Sequence, residues 1–200
     1  IGLERLKGQV EPKAIANREY SYDGLNKMWS LGLGAGYSAI PKFGDARGAY
    51  VLSLHFERRL GSSVGIRAGF KFGSDLYSKE PETTGAANSN RQFRGPMKIT
   101  DFSISLPYYW GHQIYVIPEC GQLSLSRNDK AVGYSALGTK TTSSDVPYSE
   151  NKTYVGLGFG FVTEPVDAVG SKYFIELSGK RLSGISAVEP SLQLGFQLGF

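Results

Sequence analysis

The sequence predicts an all-β chain in which eight antiparallel strands, joined up and down, close into a transmembrane β-barrel behind a short N-terminal extension. Three observations predict it. From Trp29 onward apolar side chains recur at every second residue, the period of a strand and not of a helix. The alternate face is nearly stripped of bulk, since 26 of the 200 residues are glycine against a usual ~7%. The 12 Tyr, 11 Phe and 2 Trp exclude a disordered chain, and many of them fall at strand ends. No run approaches the ~20 apolar residues of a membrane helix.

Residues 1–27 come first. Leu3, Leu6 and Val10 are spaced as on a helix, with Glu4, Arg5 and Lys7 between them and Pro12 ending the run. This piece is expected to be a periplasmic extension that engages a partner or the barrel mouth, and residues 28–200 to form the barrel. Strand one sets Trp29, Leu31, Leu33, Ala35 and Tyr37 against Ser30, Gly32, Gly34 and Gly36. Strand two sets Tyr50, Leu52, Leu54 and Phe56 against Ser53, His55, Glu57 and Arg59. Strand three sets Ile66, Ala68, Phe70 and Phe72 against Arg67, Gly69, Lys71 and Gly73. Strand four sets Phe102, Ile104 and Leu106 against Asp101, Ser103 and Ser105, and a Gly111-His112 turn follows. Strand five spans 113–125, with its phase obscured at Pro118–Gly121, where a bulge is expected. Strand six sets Val155, Leu157, Phe159 and Phe161 against Tyr154, Gly156, Gly158 and Gly160; strand seven opposes Tyr173, Ile175 and Leu177 to Phe174, Glu176, Ser178 and Lys180. Strand eight ends the chain with Leu192, Leu194, Phe196, Leu198 and Phe200.

The connections alternate in length. Those at 41–48, 78–96, 126–151 and 183–190 read as long polar loops, and those at 61–63, 111–112 and 163–171 as the shorter class. An even strand count with long loops on one rim is the pattern of outer-membrane barrels, and it puts both chain ends on the periplasmic side. A soluble barrel would turn the apolar face inward. Here the Gly- and Ser-rich face suits a tight lumen, and the large aromatic-tipped face suits lipid.

The last strand, Leu192-x-Leu-x-Phe-x-Leu-x-Phe200, resembles the C-terminal insertion signal of bacterial outer-membrane proteins, carried by Leu194, Phe196, Leu198 and Phe200. The hairpin from Leu106 to Gly121 is similar to the central hairpin of small barrels of the OmpA/OmpX-like superfamily. The resemblance covers residues 28–200 as a pattern. It implies the outer membrane of a Gram-negative cell, insertion by the barrel-assembly machinery, and contact with outer-membrane lipid and lipopolysaccharide.

The predicted lumen gathers His55, Glu57, Arg59, Arg67, Lys71, Asp101, Glu119, Glu176 and Lys180. An eight-stranded barrel has an interior just wide enough for side chains to fill, and buried charges there must pair. A closed, salt-bridged interior is therefore expected, with a structural or interaction role: adhesion, envelope integrity, or an accessory subunit of an outer-membrane complex. A protein partner would meet residues 1–27 or the loops 78–96 and 126–151. The alternative is a narrow channel for small ions or solutes. A lipid-modifying acyl enzyme built on Ser53, His55 and Glu57 is the weaker alternative, because a filled barrel offers a lipid chain no route to them. A single Cys120 and two His leave no metal site or cofactor to expect. The 22 Lys and Arg are dispersed among 18 acids, which does not suit nucleic acid.

Overall fold

The computed structural model describes residues 29–39, 48–60, 63–75, 84–111, 113–163, 171–184 and 188–200. The expected extension at 1–27 and His112 lie outside them. Ten strand segments are present: β1 (Trp29–Ser38), β2 (Ala49–Arg59), β3 (Gly65–Ser74), β4 (Asn90–Phe93), β5 (Lys98–Ser105), β6 (Tyr108–Trp110), β7 (Ile114–Tyr134), β8 (Lys140–Val162), β9 (Lys172–Leu182) and β10 (Val188–Gly199). All pairings are antiparallel. The ring runs β1, β2, β3, β5, β7, β8, β9, β10 and closes where β10 pairs with β1. Closure leaves no open edge inside the bilayer, as a medium without hydrogen-bonding solvent requires.

Segments β5 and β6 are one barrel strand broken at Leu106-Pro107. Leu106 N still donates to Pro118 O and Gly65 N to Pro107 O, so each proline keeps its acceptor role while lacking a donor. No bulge lies at 118–121. The β7–β8 register is unbroken there, and the one shift falls at Gly133/Tyr134. The expected bulge is therefore corrected. The phase was hard to read because β7 turns Tyr115, Ile117, Leu123 and Leu125 inward, giving it apolar residues on both faces.

Outside, Leu33, Leu54, Phe70, Phe102, Ile104, Leu157, Phe159 and Leu194 are each 40–57% exposed. Water would not tolerate an apolar surface this extensive, whereas lipid is its natural solvent. Cys120 is exposed on this same face, paired in register with Ile104 and Val155. Aromatic pairs mark both borders of the band. Trp29 stacks on Phe56 at 4.9 Å and Tyr108 meets Trp110 edge-on at 6.0 Å at the short-turn end. Tyr37 and Tyr50 meet at 5.7 Å at the other.

The expected loop at 126–151 is a second correction. Strands of 21 and 23 residues carry the β7–β8 ladder on to Tyr134↔Lys140. The hairpin thus extends some eight residues beyond Lys98, a length along the strand of about 27 Å at ~3.4 Å per residue. The loop at 78–96 is likewise shortened, since Asn90–Phe93 pairs with Lys130–Gly133 as β4. Above the membrane neither face meets lipid, so these strands lack the apolar alternation that reveals the others.

Candidate functional site: a filled lumen and a raised sheet edge

The register brings the lumen charges together from distant parts of the chain. Glu57 on β2 stands opposite Arg67 on β3 and is fully buried. Arg67 donates through Nε and Nη2 to Glu57 Oε2 at 3.0 and 2.9 Å, and through Nη1 to Glu176 Oε2 at 2.8 Å. Tyr109 donates to Glu57 Oε1 at 2.6 Å and Tyr115 to Glu176 Oε2 at 3.1 Å. Arg59 completes this group, 3.3 Å from Glu57 and 3.4 Å above the Tyr109 ring. A second group lies toward the other rim. There Lys180 is bonded to Asp101, and Tyr154 donates to Asp101 Oδ1 at 2.7 Å. Glu119 reaches over Gly156 to within 4.0 Å of Lys180. Lys71 sits between Ser53 and Asp101 in register, buried, with no ion pair within 4.0 Å among the described residues.

Apolar clusters lie toward both ends of the lumen. Ala49, Met97, Ile99, Leu123, Leu125, Tyr154 and Leu182 form the layer at the hairpin end. Tyr109, Tyr115, Ile117, Val162 and Phe174 form the layer at the short-turn end. Ser53, His55 and Glu57 share the inner face but form no relay. The Glu57 carboxylate is taken by Arg67, Arg59 and Tyr109, while Ser53 Oγ and His55 Nε2 have no hydrogen-bond partner among the described residues. The His55 imidazole fills the hollow over Gly32 and meets Phe174 edge-on at 5.1 Å.

The raised sheet is held by its own polar contacts. Asp75 accepts from Arg94 at 2.7 Å and from Met97 N at 2.6 Å. Asp129 accepts from Gln92 and from Gly95 N, both at 3.1 Å. The Asp75 bonds tie Arg94 and Met97 to the end of β3, and the Asp129 bonds tie Gln92 and Gly95 to the hairpin. Tyr148 donates to Glu150, which also pairs with Lys152 at 2.7 Å, and the Arg127 guanidinium lies 4.8 Å from the Tyr148 ring. Hydrogen bonds from Lys152 and Tyr148 hold the Glu150 carboxyl below its ordinary range. Burial and the bond to Glu150 push the Tyr148 phenol up to about 12. At the tip, Ser135 Oγ accepts from Leu137 N and Thr139 N at 3.2 and 3.3 Å, and Leu137 is 90% exposed.

Among the described residues, one edge of this sheet has no strand beside it. Strand β9 accompanies β8 only as far as Leu182↔Tyr154. Ser183 N donates to Thr153 O, and Thr163 N to Tyr173 O, while Val162 N donates toward β7 at Gln113 O. Odd-numbered residues of β8 therefore aim their backbone groups away from β7. Above Thr153 those of Ser143, Asp145, Ser149 and Asn151 meet no strand among the described residues. Pro147 shares this parity, so its missing N–H falls on the open edge, the place where proline is tolerated in a sheet.

No protein-family model and no curated protein sequence matches the chain. Solved structures do. Ail, the attachment invasion locus protein of Yersinia pestis, is 10% identical, with 86% of this chain and 96% of that one covered and a TM-score of 0.54. A major outer membrane protein from Thermus thermophilus is 16% identical over 86% and 98%, with a TM-score of 0.52. Neisserial surface protein A is 14% identical over 86% and 97%, with a TM-score of 0.51. The fold is that of a small outer-membrane β-barrel.

The barrel carries its polar groups inside. Of the nine lumen residues expected from sequence, Glu57, Arg59, Arg67 and Glu176 lie in one bonded group and Asp101, Lys180 and Glu119 in the other. His55 packs on glycine and Lys71 stands between the groups. Sequence reasoning put Tyr154 on the inner face but did not single out the tyrosines that bond the carboxylates, nor the two apolar layers. The outward alternation of Tyr108 and Trp110, which turns Tyr109 inward, was the available signal for one of those tyrosines.

Proposed function

We propose that this protein resides in the bacterial outer membrane, with both chain ends on the periplasmic side, and acts as a surface interaction protein. It holds a partner outside the cell by adding an extended segment of that partner to the open edge of β8. The observation that carries this reading is the row of outward backbone groups on Ser143, Asp145, Ser149 and Asn151, presented beyond the lipid on a hairpin that Asp129 ties to Gln92 and Gly95. Strand addition draws its affinity from main-chain bonds of this kind. The turn that fixes an exposed Leu137 at the outermost point adds a pre-organised apolar contact. A role in attachment agrees with the fold shared with the attachment invasion locus protein. Conduction is disfavoured by the two apolar layers, and catalysis by the absence of a Ser53–His55–Glu57 relay.

Hydrogen exchange of the protein in lipid nanodiscs tests the reading. Peptides selected on it from a phage-displayed random library are expected to slow exchange at Ser143, Asp145, Ser149 and Asn151. The even-numbered amides between them already bond β7 and should not change. Selected peptides that still bind after residues 127–148 are replaced by a short turn would place recognition elsewhere.

A further inference from the structure

We propose that the protein segment received by β8 above Thr153 carries the pattern apolar–any–apolar–basic, read from its own N-terminus, with no proline at the second place. This rests on the strand-addition reading and names the partner's chemistry. Direction comes first. β9 climbs antiparallel beside β8 as far as Leu182↔Tyr154, and Ser183 N donates to Thr153 O. A segment that continues the file of β9 runs the same way, so it too is antiparallel to β8. In such a ladder, residues directly opposite exchange both main-chain bonds or neither, in alternation. The partner residues opposite Asn151, Ser149, Asp145 and Ser143 exchange both. The one opposite Pro147 can only donate, because Pro147 offers a carbonyl and no N–H. A proline at that place in the partner would leave the pair without a bond.

Side chains then select. Asp145 is exposed and stands in register with exposed Lys130 on β7, but no ion pair engages it among the described residues. The partner residue opposite Asp145 lies on the same face, on its other side. Opposite charges placed directly across a ladder attract and like charges repel, so a cation suits that place. The alternate face shows Val146 and Tyr148, two residues apart. Val146 is 38% exposed. Tyr148 packs on the apolar layer at the hairpin end, with the Arg127 guanidinium 4.8 Å from its ring. Side chains opposite these two cover apolar surface, and β-branched or aromatic residues pair best in that setting. Glu150 is already engaged by Lys152 and Tyr148 and asks nothing of the partner. Antiparallel order turns Tyr148, Pro147, Val146 and Asp145 into apolar, any, apolar and basic.

Fluorescence anisotropy of labelled peptides on the full chain in lipid nanodiscs tests the pattern, at low ionic strength because exposed charges are screened by salt. The probe is Thr-Ser-Thr-Val-Thr-Val-Lys-Thr-Thr, and its counterpart carries Glu in place of Lys. The lysine peptide is expected to bind about fivefold tighter than the glutamate peptide. Asp145→Lys, a change at an exposed strand position, should invert that order, and heat-dependent gel mobility verifies that the variant is folded. Hydrogen exchange on the same complexes separates this proposal from the reading beneath it. Equal affinity of the two peptides, with exchange slowed at Ser149 and Asn151, overturns the pattern and leaves strand addition standing. An order that Asp145→Lys does not change does the same. Binding of neither peptide also overturns the pattern, and strand addition falls with it only if library-selected peptides fail to slow exchange there.

Discussion

The buried groups of the lumen give the sharpest expectations at the scale of single residues. Arg67 is shared between Glu57 and Glu176, so removing its charge leaves two buried carboxylates short of a partner. Losing one member of a buried ion pair costs about 3–5 kcal/mol. Arg67→Met should lower stability by that order, read from the urea midpoint of refolding into detergent. Gly32 is constrained differently, because a Cβ there would lie within the His55 ring. Gly32→Ala is expected to destabilise by about 1–3 kcal/mol, the usual range for overpacking, and His55→Ala in the same chain should recover most of it. Additive losses in the double variant would refute the steric account. Outside the membrane, Tyr148 and Glu150 couple to pH. The raised phenol favours the folded hairpin below its ordinary pKa and loses that contribution as pH climbs through about 12. The depressed carboxyl contributes above its ordinary range and loses it as pH falls through the lower folded value. The difference in phenolate absorbance between the wild type and Tyr148→Phe should thus show a midpoint near 12.

At the scale of elements, Pro147 is the instructive position. An exposed strand edge invites pairing with other chains, and proline on it blunts that tendency. Pro147→Thr restores a donor at the centre of the open edge of β8 without touching the ladder to β7. More self-association in nanodisc or detergent is the expected result, seen as a shift to larger species in analytical ultracentrifugation. An unchanged profile would mean that this edge is not the adhesive one. The same element shows where the sequence was legible. Strands bathed in lipid announce themselves by alternation, as Leu52, Leu54 and Phe56 against Ser53, His55 and Glu57 do. Seven of the eight barrel strands could be read in this way. In the outer half of β8, Thr142, Ser143, Ser144 and Asp145 are polar on both faces, and a period-two test based on apolar residues is blind to them. The inward tyrosines were hidden for a related reason. Tyr109 lies between Tyr108 and Trp110, and only the strand's alternation, not the residue type, turns it inward toward Glu57.

For the whole molecule, the question is whether a lumen full of charge conducts. Eight strands enclose a bore that side chains can fill, and the filling here is stratified. The layer of Met97, Ile99, Leu123 and Leu125 and the layer of Tyr109, Tyr115, Ile117 and Phe174 stand in series, with the ion pairs held against and between them. An ion crossing would have to part both apolar layers and displace Arg67 or Lys180 from carboxylates they already satisfy. Barriers in series are not removed one at a time. Planar-bilayer recordings of the wild type should therefore show no steady current. Leu123→Gly with Leu125→Gly opens only the hairpin end and should stay silent, as should Tyr115→Gly with Phe174→Gly at the short-turn end. Steady current is expected only when both pairs are combined in a chain that still inserts. A wild-type protein that conducts, or a single opened layer that suffices, would show that the lumen is a gated path and that the apolar layers do not seal it.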